Sequence, residues 1–164
     1  MKNLYELLRE AKEKCDAVGI PYGKITNIKL NNRLSKCWGR CLTKNHKEFW
    51  IEINGKYASD EFSTNENIVE VICHEIIHTC EGCWNHGYQF MQYGKLLTAA
   101  YGIVVSTTDS AENRTIDKIA WETSKKYAVK CNCRTIYKDR MCDIIRYPHI
   151  YECNKCKGKF ERVK

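Results

Sequence analysis

The chain has 164 residues, 43% of them hydrophobic and 29% charged. This is ordinary globular composition, so it excludes a disordered polymer, and the length excludes two or more large domains. The net charge of +7 is uneven: from Lys130 onward ten Lys and Arg face four Asp and Glu, a local balance of +6. A basic end of this kind suits either a polyanion such as nucleic acid or a solvated, solubilising face.

The first fifteen residues alternate charged and apolar side chains with no uninterrupted apolar core, so a secretory signal and a membrane span are not expected and the location is read as cytoplasmic. In a reducing compartment eleven cysteines point to metal binding and buried thiols rather than to disulfides. Leu4, Leu7, Leu8, Ala11, Cys15 and Val18 recur at spacings of three and four, which predicts an amphipathic helix over Asn3 to Val18, stopped by Gly19 and Pro21. Ile28 and Leu30, then Phe49, Ile51 and Ile53, alternate with polar neighbours on either side of the turn-prone Thr43-Lys44-Asn45-His46, which predicts a small antiparallel sheet or meander.

Ser63 with Glu66 forms a capping-box signature ahead of Ile68, Val69, Val71, Ile72, Ile76 and Ile77, so a helix is expected to start there. Its apolar residues cover most of the circumference. The helix should therefore be largely buried, and the ionisable His74, Glu75 and His78 within it need partners or a metal. A further helix is expected from about Gly87 to Tyr101, with Phe90, Leu97 and Tyr101 inward and Gly102 at its end. Another is expected over Ser110 to Lys126, and from Tyr127 short β-like stretches alternate with cysteine pairs.

Two histidines four residues apart lie one above the other on a helix, so both imidazoles of His74 and His78 can reach one ion. Glu75, about 100° around the axis from His74 at 3.6 residues per turn, can reach a metal-held water without being a ligand itself. A catalytic zinc needs a third protein ligand and an open position. His86 is the candidate, because Glu81-Gly82-Cys83-Trp84-Asn85 allows the chain to reverse before it. The expected chemistry is hydrolysis of a peptide bond, with zinc activating water and Glu75 as the general base. Cys73 and Cys80 are expected as small buried hydrophobes, and Cys83 is open between that role and metal binding.

Cys131-Asn132-Cys133 and Cys153-Asn154-Lys155-Cys156 are two close pairs around a loop, the pattern of a structural four-cysteine zinc in a ribbon. The first pair is one residue tighter than the commoner C-x-x-C, which leaves Cys142 or His149 as substitute ligands. Four thiolates around Zn2+ carry a net −2, so the local +6 becomes about +4 and stays basic. Arg134, Tyr137, Lys138, Arg140, Arg146 and Tyr151 interleave basic and aromatic side chains, the mix that grips phosphates and stacks on unpaired bases.

With these residues in place the chain resembles the SprT-like (Spartan-related) zinc metalloproteases. The resemblance is carried by His74-Glu75-x-x-His78, by His86-Gly87-x-x-Phe90, by Cys37-Trp38-Gly39-Arg40-Cys41 before the Phe49 to Ile53 strand, and by Tyr151-x-Cys153-x-x-Cys156-Lys157-Gly158. It implies an α+β fold: a small zincin-like metalloprotease core over residues 1–126, made of an N-terminal helix, a small antiparallel sheet and the HExxH helix, then a short zinc ribbon over 127–164. It also implies one catalytic zinc at His74, His78 and His86, one structural zinc at Cys131, Cys133, Cys153 and Cys156, and Glu75 as the catalytic residue. The expected partners are single-stranded DNA and protein substrates crosslinked to DNA, with no membrane. Two other readings fit the same residues: a non-catalytic zinc module that binds DNA, and a regulatory protease that cleaves one specific partner.

Overall fold

The computed structural model describes residues 2–34, 36–105 and 122–164, and most of the helix expected over Ser110 to Lys126 lies outside them. The chain divides into two units, Met1–Ile116 and Asp117–Lys164. Among the described residues no helix is long and apolar enough to cross a membrane.

In the first unit, helix α1 spans Leu4–Ala17 and buries Leu4, Leu7, Leu8, Ala11 and Cys15 along one face, as its spacing predicts. Asn3 caps it by accepting from the backbone N–H of Tyr5 and Glu6, which satisfies donors that the first turn leaves open. Three strands follow: β1 (Lys24–Asn31), β2 (Gly39–Thr43) and β3 (Glu48–Asn54). Their order is β1-β3-β2, with β3 antiparallel to β2 but parallel to β1. The sheet is thus mixed, where the alternation predicts antiparallel pairing throughout. The β2–β3 hairpin returns β3 in the direction of β1, and β3 then inserts between its two predecessors. This central place explains why Phe49, Ile51 and Ile53 are all buried while Leu30, on the β1 edge, is 38% exposed.

Helix α2 spans Asn65–Ile77 and is buried along most of its length from Asn67 onward. It packs against α1, β2 and β3. The capping box is present but sits one residue later than Ser63 and Glu66: the Thr64 hydroxyl accepts from Asn67 N–H, and the Asn67 side chain accepts from Thr64 N–H. Ser63 is buried instead, its hydroxyl donating to the Tyr57 carbonyl at 2.6 Å. Helix α3 spans Tyr88–Tyr101 and ends on Gly102 at φ 69°, a left-handed stop that glycine adopts without a Cβ clash. Phe90 and Leu97 point inward as expected. Tyr101 does not: it is 42% exposed, with Lys14 Nζ 4.8 Å from the centre of its ring.

In the second unit β4 (Tyr127–Lys130) lies between β5 (Thr135–Lys138) and the short β6 (Glu161–Arg162), with both pairings antiparallel. A one-turn helix, α4 (Asp143–Arg146), and a 3-10 turn at Pro148–Ile150 complete it. Among its described residues the buried apolar cluster is Val129, Ile145, Cys153 and Phe160, with partly buried side chains such as Tyr127, Ile136 and Ile144 packed against it. So small a core normally requires a crosslink or a metal.

Candidate metal centres

Helix α2 delivers His74 and, at its C-cap, His78, one turn apart, and the chain then reverses to bring His86 back to them. The reversal is a turn in which Cys83 N–H donates to the Cys80 carbonyl at 3.1 Å, with Gly82 at φ 73°. His86 sits just before the Gly87 cap of α3, and the Asn85 side chain accepts from Gly87 N–H at 3.1 Å. His74 Nε2 lies 3.1 Å from His78 Nε2 and 3.1 Å from His86 Nε2. Three nitrogens at about 2.0–2.1 Å from a tetrahedral zinc stand roughly 3.3 Å apart, so the spacing fits such an ion.

The tautomers agree with that fit. His78 Nδ1 is 2.8 Å from the carbonyl oxygen of Cys83, which can only accept, so Nδ1 carries the proton and Nε2 presents a lone pair. Burial holds the His78 imidazole below its usual range, against the opposing pull of the Cys83 carbonyl and with help from His86. The ring is therefore neutral near pH 7, the form that binds metal. Phe90, fully buried on α3, packs against all three rings, with centroids 5.0, 4.7 and 4.7 Å from those of His74, His78 and His86.

The three histidines line a cavity of ≈ 380 Å³ together with Glu75, Trp84 and the β2 segment from Gly39 to Cys41. Glu75 is only 5% exposed. A methyl group on Gly39 would stand 2.9 Å from Glu75 Oε1 and 2.7 Å from Val71 Cγ1, so glycine is what allows β2 to lie against this turn of α2. Burial, and then the Glu75 carboxylate, push the Cys41 thiol up to about 12. Cys41 is thus a neutral thiol beside a carboxylate. Cys80 and Cys83 are buried, their thiols raised chiefly by that burial. Neither belongs to the histidine cluster.

In the second unit, within itself, the Sγ atoms of Cys131, Cys133, Cys153 and Cys156 converge. Cys131 is 3.8 Å from Cys133 and 3.7 Å from Cys156, and Cys133 is 3.6 Å from Cys153. A zinc–sulfur distance of about 2.3 Å gives tetrahedral edges of roughly 3.8 Å, so these four sulfurs also suit one ion. The backbone N–H groups of Cys156 and Lys155 point at Cys153 and lower its thiol to about 6, while hydrogen bonding to Cys156, burial and the other cysteines push the Cys133 thiol up to about 12, so four thiolates together require a cation among them. Cys142 packs against the small core instead, and His149 is exposed; neither joins the cluster. Of the residues expected at nucleic acid, Arg134, Lys138, Arg140, Arg146 and Tyr151 are exposed, while Tyr137 is half-buried in β5. Tyr147 and Ile150 are exposed in the same unit, and the sequence pattern did not single them out.

Two features of the first site escape sequence reasoning. The packing of Phe90 under the imidazoles is hidden because an inward phenylalanine on a helix reads as core. The Cys83 carbonyl has no sequence signature, since every residue carries one.

The family model of the SprT-like family matches residues 5–110. The chain belongs to the SprT-like family. Membership makes the first unit a metallopeptidase-type domain, and the matched segment contains the whole histidine site while ending before the first cysteine of the second cluster. Comparison with curated proteins finds no match.

Proposed function

We propose that this SprT-like chain is a zinc endopeptidase with a zincin-like core, in which His74, His78 and His86 hold the catalytic ion and Glu75 is the general base. The observation that carries the reading is the convergence of three Nε2 atoms, with 3.1 Å separations from His74, in a cavity that Glu75 also lines. When bound there, zinc lowers the pKa of water toward about 7 and polarises a carbonyl. Glu75 takes a proton from the attacking water and passes it to the amine nitrogen as the peptide C–N bond breaks. Its low exposure limits competition from bulk water for that proton. His78, oriented by the Cys83 carbonyl, and Phe90 against the rings fix the geometry before substrate arrives.

The second unit is proposed as a zinc ribbon, with structural zinc at Cys131, Cys133, Cys153 and Cys156, and as the part of the protein that contacts DNA. The excess of basic residues from Lys130 onward supports this, as does the exposure of Arg134, Lys138, Arg140, Arg146 and Tyr151. The substrates are then proteins associated with or crosslinked to DNA in the cytoplasm, and single-stranded DNA stimulates their cleavage.

Metal content per chain tests the first part. About two zinc ions in the wild type, falling to one in the His74→Ala/His78→Ala double variant, is the result this reading expects; one ion unaffected by the change would end it. Glu75→Gln should keep both ions and lose proteolysis by roughly 10²–10⁴-fold. Equal cleavage with and without single-stranded DNA would remove DNA from the mechanism.

A further inference from the structure

A second cavity, of ≈ 450 Å³, adjoins the histidine cavity, and His78 and Trp84 line both. One wall is Phe49 of β3, which is 5% exposed. Another is Trp84, 55% exposed, with the His46 ring set against it edge to face at 5.6 Å between centroids. The backbone of Gly23 closes a third side: a methyl there would stand 2.5 Å from Phe49 Cε2 and 3.0 Å from the Thr79 carbonyl oxygen.

The Thr79 hydroxyl on this wall is already engaged. Thr79 Oγ1 accepts from Gly23 N–H at 2.8 Å and donates to the Ile76 carbonyl at 2.7 Å. Lys47 and Glu81, both exposed and of opposite sign, also line the cavity. Besides these two charges, the lining offers a ligand the rings of Phe49, His46 and Trp84. Apolar lining beside a cavity with a few convergent polar groups is the usual make-up of a recognition site.

We propose that this second cavity is a side-chain subsite that accepts a large apolar or aromatic residue flanking the bond presented to Glu75. The proposal rests on the metallopeptidase reading above and adds its substrate class. A peptide whose carbonyl lies at the three Nε2 atoms has its neighbouring side chains within reach of the far side of His78, because an extended chain advances only about 3.3 Å per residue. Large apolar side chains are mostly buried in folded proteins. A subsite that requires one therefore selects unfolded or locally opened chains without needing any longer sequence motif.

The test uses the full zinc-loaded chain and acetylated decapeptides that differ at one position, carrying Phe, Leu, Ala, Asp or Lys. Cleavage sites are read by mass spectrometry, and binding of the same labelled peptides is read by anisotropy with Glu75→Gln. Phe and Leu at one fixed offset from the cut should raise kcat/KM about threefold to tenfold over Ala, the size of a good aromatic contact, and binding to Glu75→Gln should rank the peptides the same way. Trp84→Ala, at a position exposed enough that the fold does not depend on it, should reduce the ratio to below about twofold, and His46→Asn should reduce it in part. Cleavage without bias, a preference for Asp or Lys, or a bias unchanged in both variants would overturn the subsite alone. Apolar binding that depends on Trp84 in a protein that never cleaves would keep the subsite and overturn the peptidase reading.

Discussion

His78 Nδ1 donates to the carbonyl oxygen of Cys83 at 2.8 Å, so the turn that brings His86 back also orients His78. The turn depends on Gly82, whose φ of 73° strains any residue with a Cβ, although a methyl there would meet nothing within 4 Å. Gly82→Ala should therefore act through backbone strain alone. Zinc affinity, measured by competition with a chromophoric chelator, should fall by roughly tenfold. Gly82→Asn should fall less, because asparagine tolerates the left-handed region. Equal affinities for all three proteins would show that the carbonyl does not position the ring.

On the peptidase reading proposed above, a change at Gly39 should separate catalysis from metal binding. Its missing side chain lets β2 approach Val71 and Glu75, and a methyl there forces both apart. Overpacking of this kind costs about 1–3 kcal/mol. Gly39→Ala should keep a full complement of zinc, unfold at a lower urea concentration, and lose more activity than the stability change explains, because Glu75 is displaced from the reacting atoms. A variant with normal kcat would show that the carboxylate has room to adjust.

The convergence of the candidate ligands was more legible in the sequence than the sheet was. Two histidines on one helical face follow from the period of the α-helix, and the cysteine pairs follow from ligand spacing. Strand order does not follow from alternation, since Ile28 in β1 and Ile51 in β3 read alike whether their strands pair parallel or antiparallel. The α2 cap falls one residue late because Ser63 and Thr64 are both good caps, and only the buried Tyr57 carbonyl takes Ser63 out of contention. Tyr101 fits the inward period of α3, yet it lies in the last turn and faces Lys14. Each difference concerns a contact that local pattern does not encode.

Glu52, 5% exposed on β3, should make the stability of the first unit depend on acid. Burial alone would raise its pKa, but hydrogen bonds from Asn31, Arg40 and Lys29 together outweigh burial and leave it lowered. A folded pKa below the unfolded one means that the stabilisation is complete above the unfolded value, near 4.5, and is lost as pH falls through the folded value. Glu52→Gln should destabilise by about 1–3 kcal/mol at pH 7. The gap between wild type and variant in urea midpoint should narrow below about pH 4.5. A gap that stays constant down to about pH 3 would mean that these groups do not recognise the carboxylate charge.

On the ribbon reading proposed above, the second unit should need zinc to stay folded. Its buried apolar cluster is Val129, Ile145, Cys153 and Phe160, and one of these is itself a candidate ligand. Four sulfurs 3.6–3.8 Å apart have no bond to hold them together without an ion among them, and strands this short do not persist alone. A chelator strong enough to strip thiolate zinc should open residues 127–164 to rapid amide exchange and to trypsin, which finds ten Lys and Arg from Lys130 onward. Cys153→Ser should reproduce that behaviour without chelator, because the lost ligand is also a core residue. Cys142→Ser should leave protection in place, since Cys142 stands outside the cluster. Full protection of this segment in the metal-stripped protein would show that its small core suffices, and the four cysteines would then need another explanation.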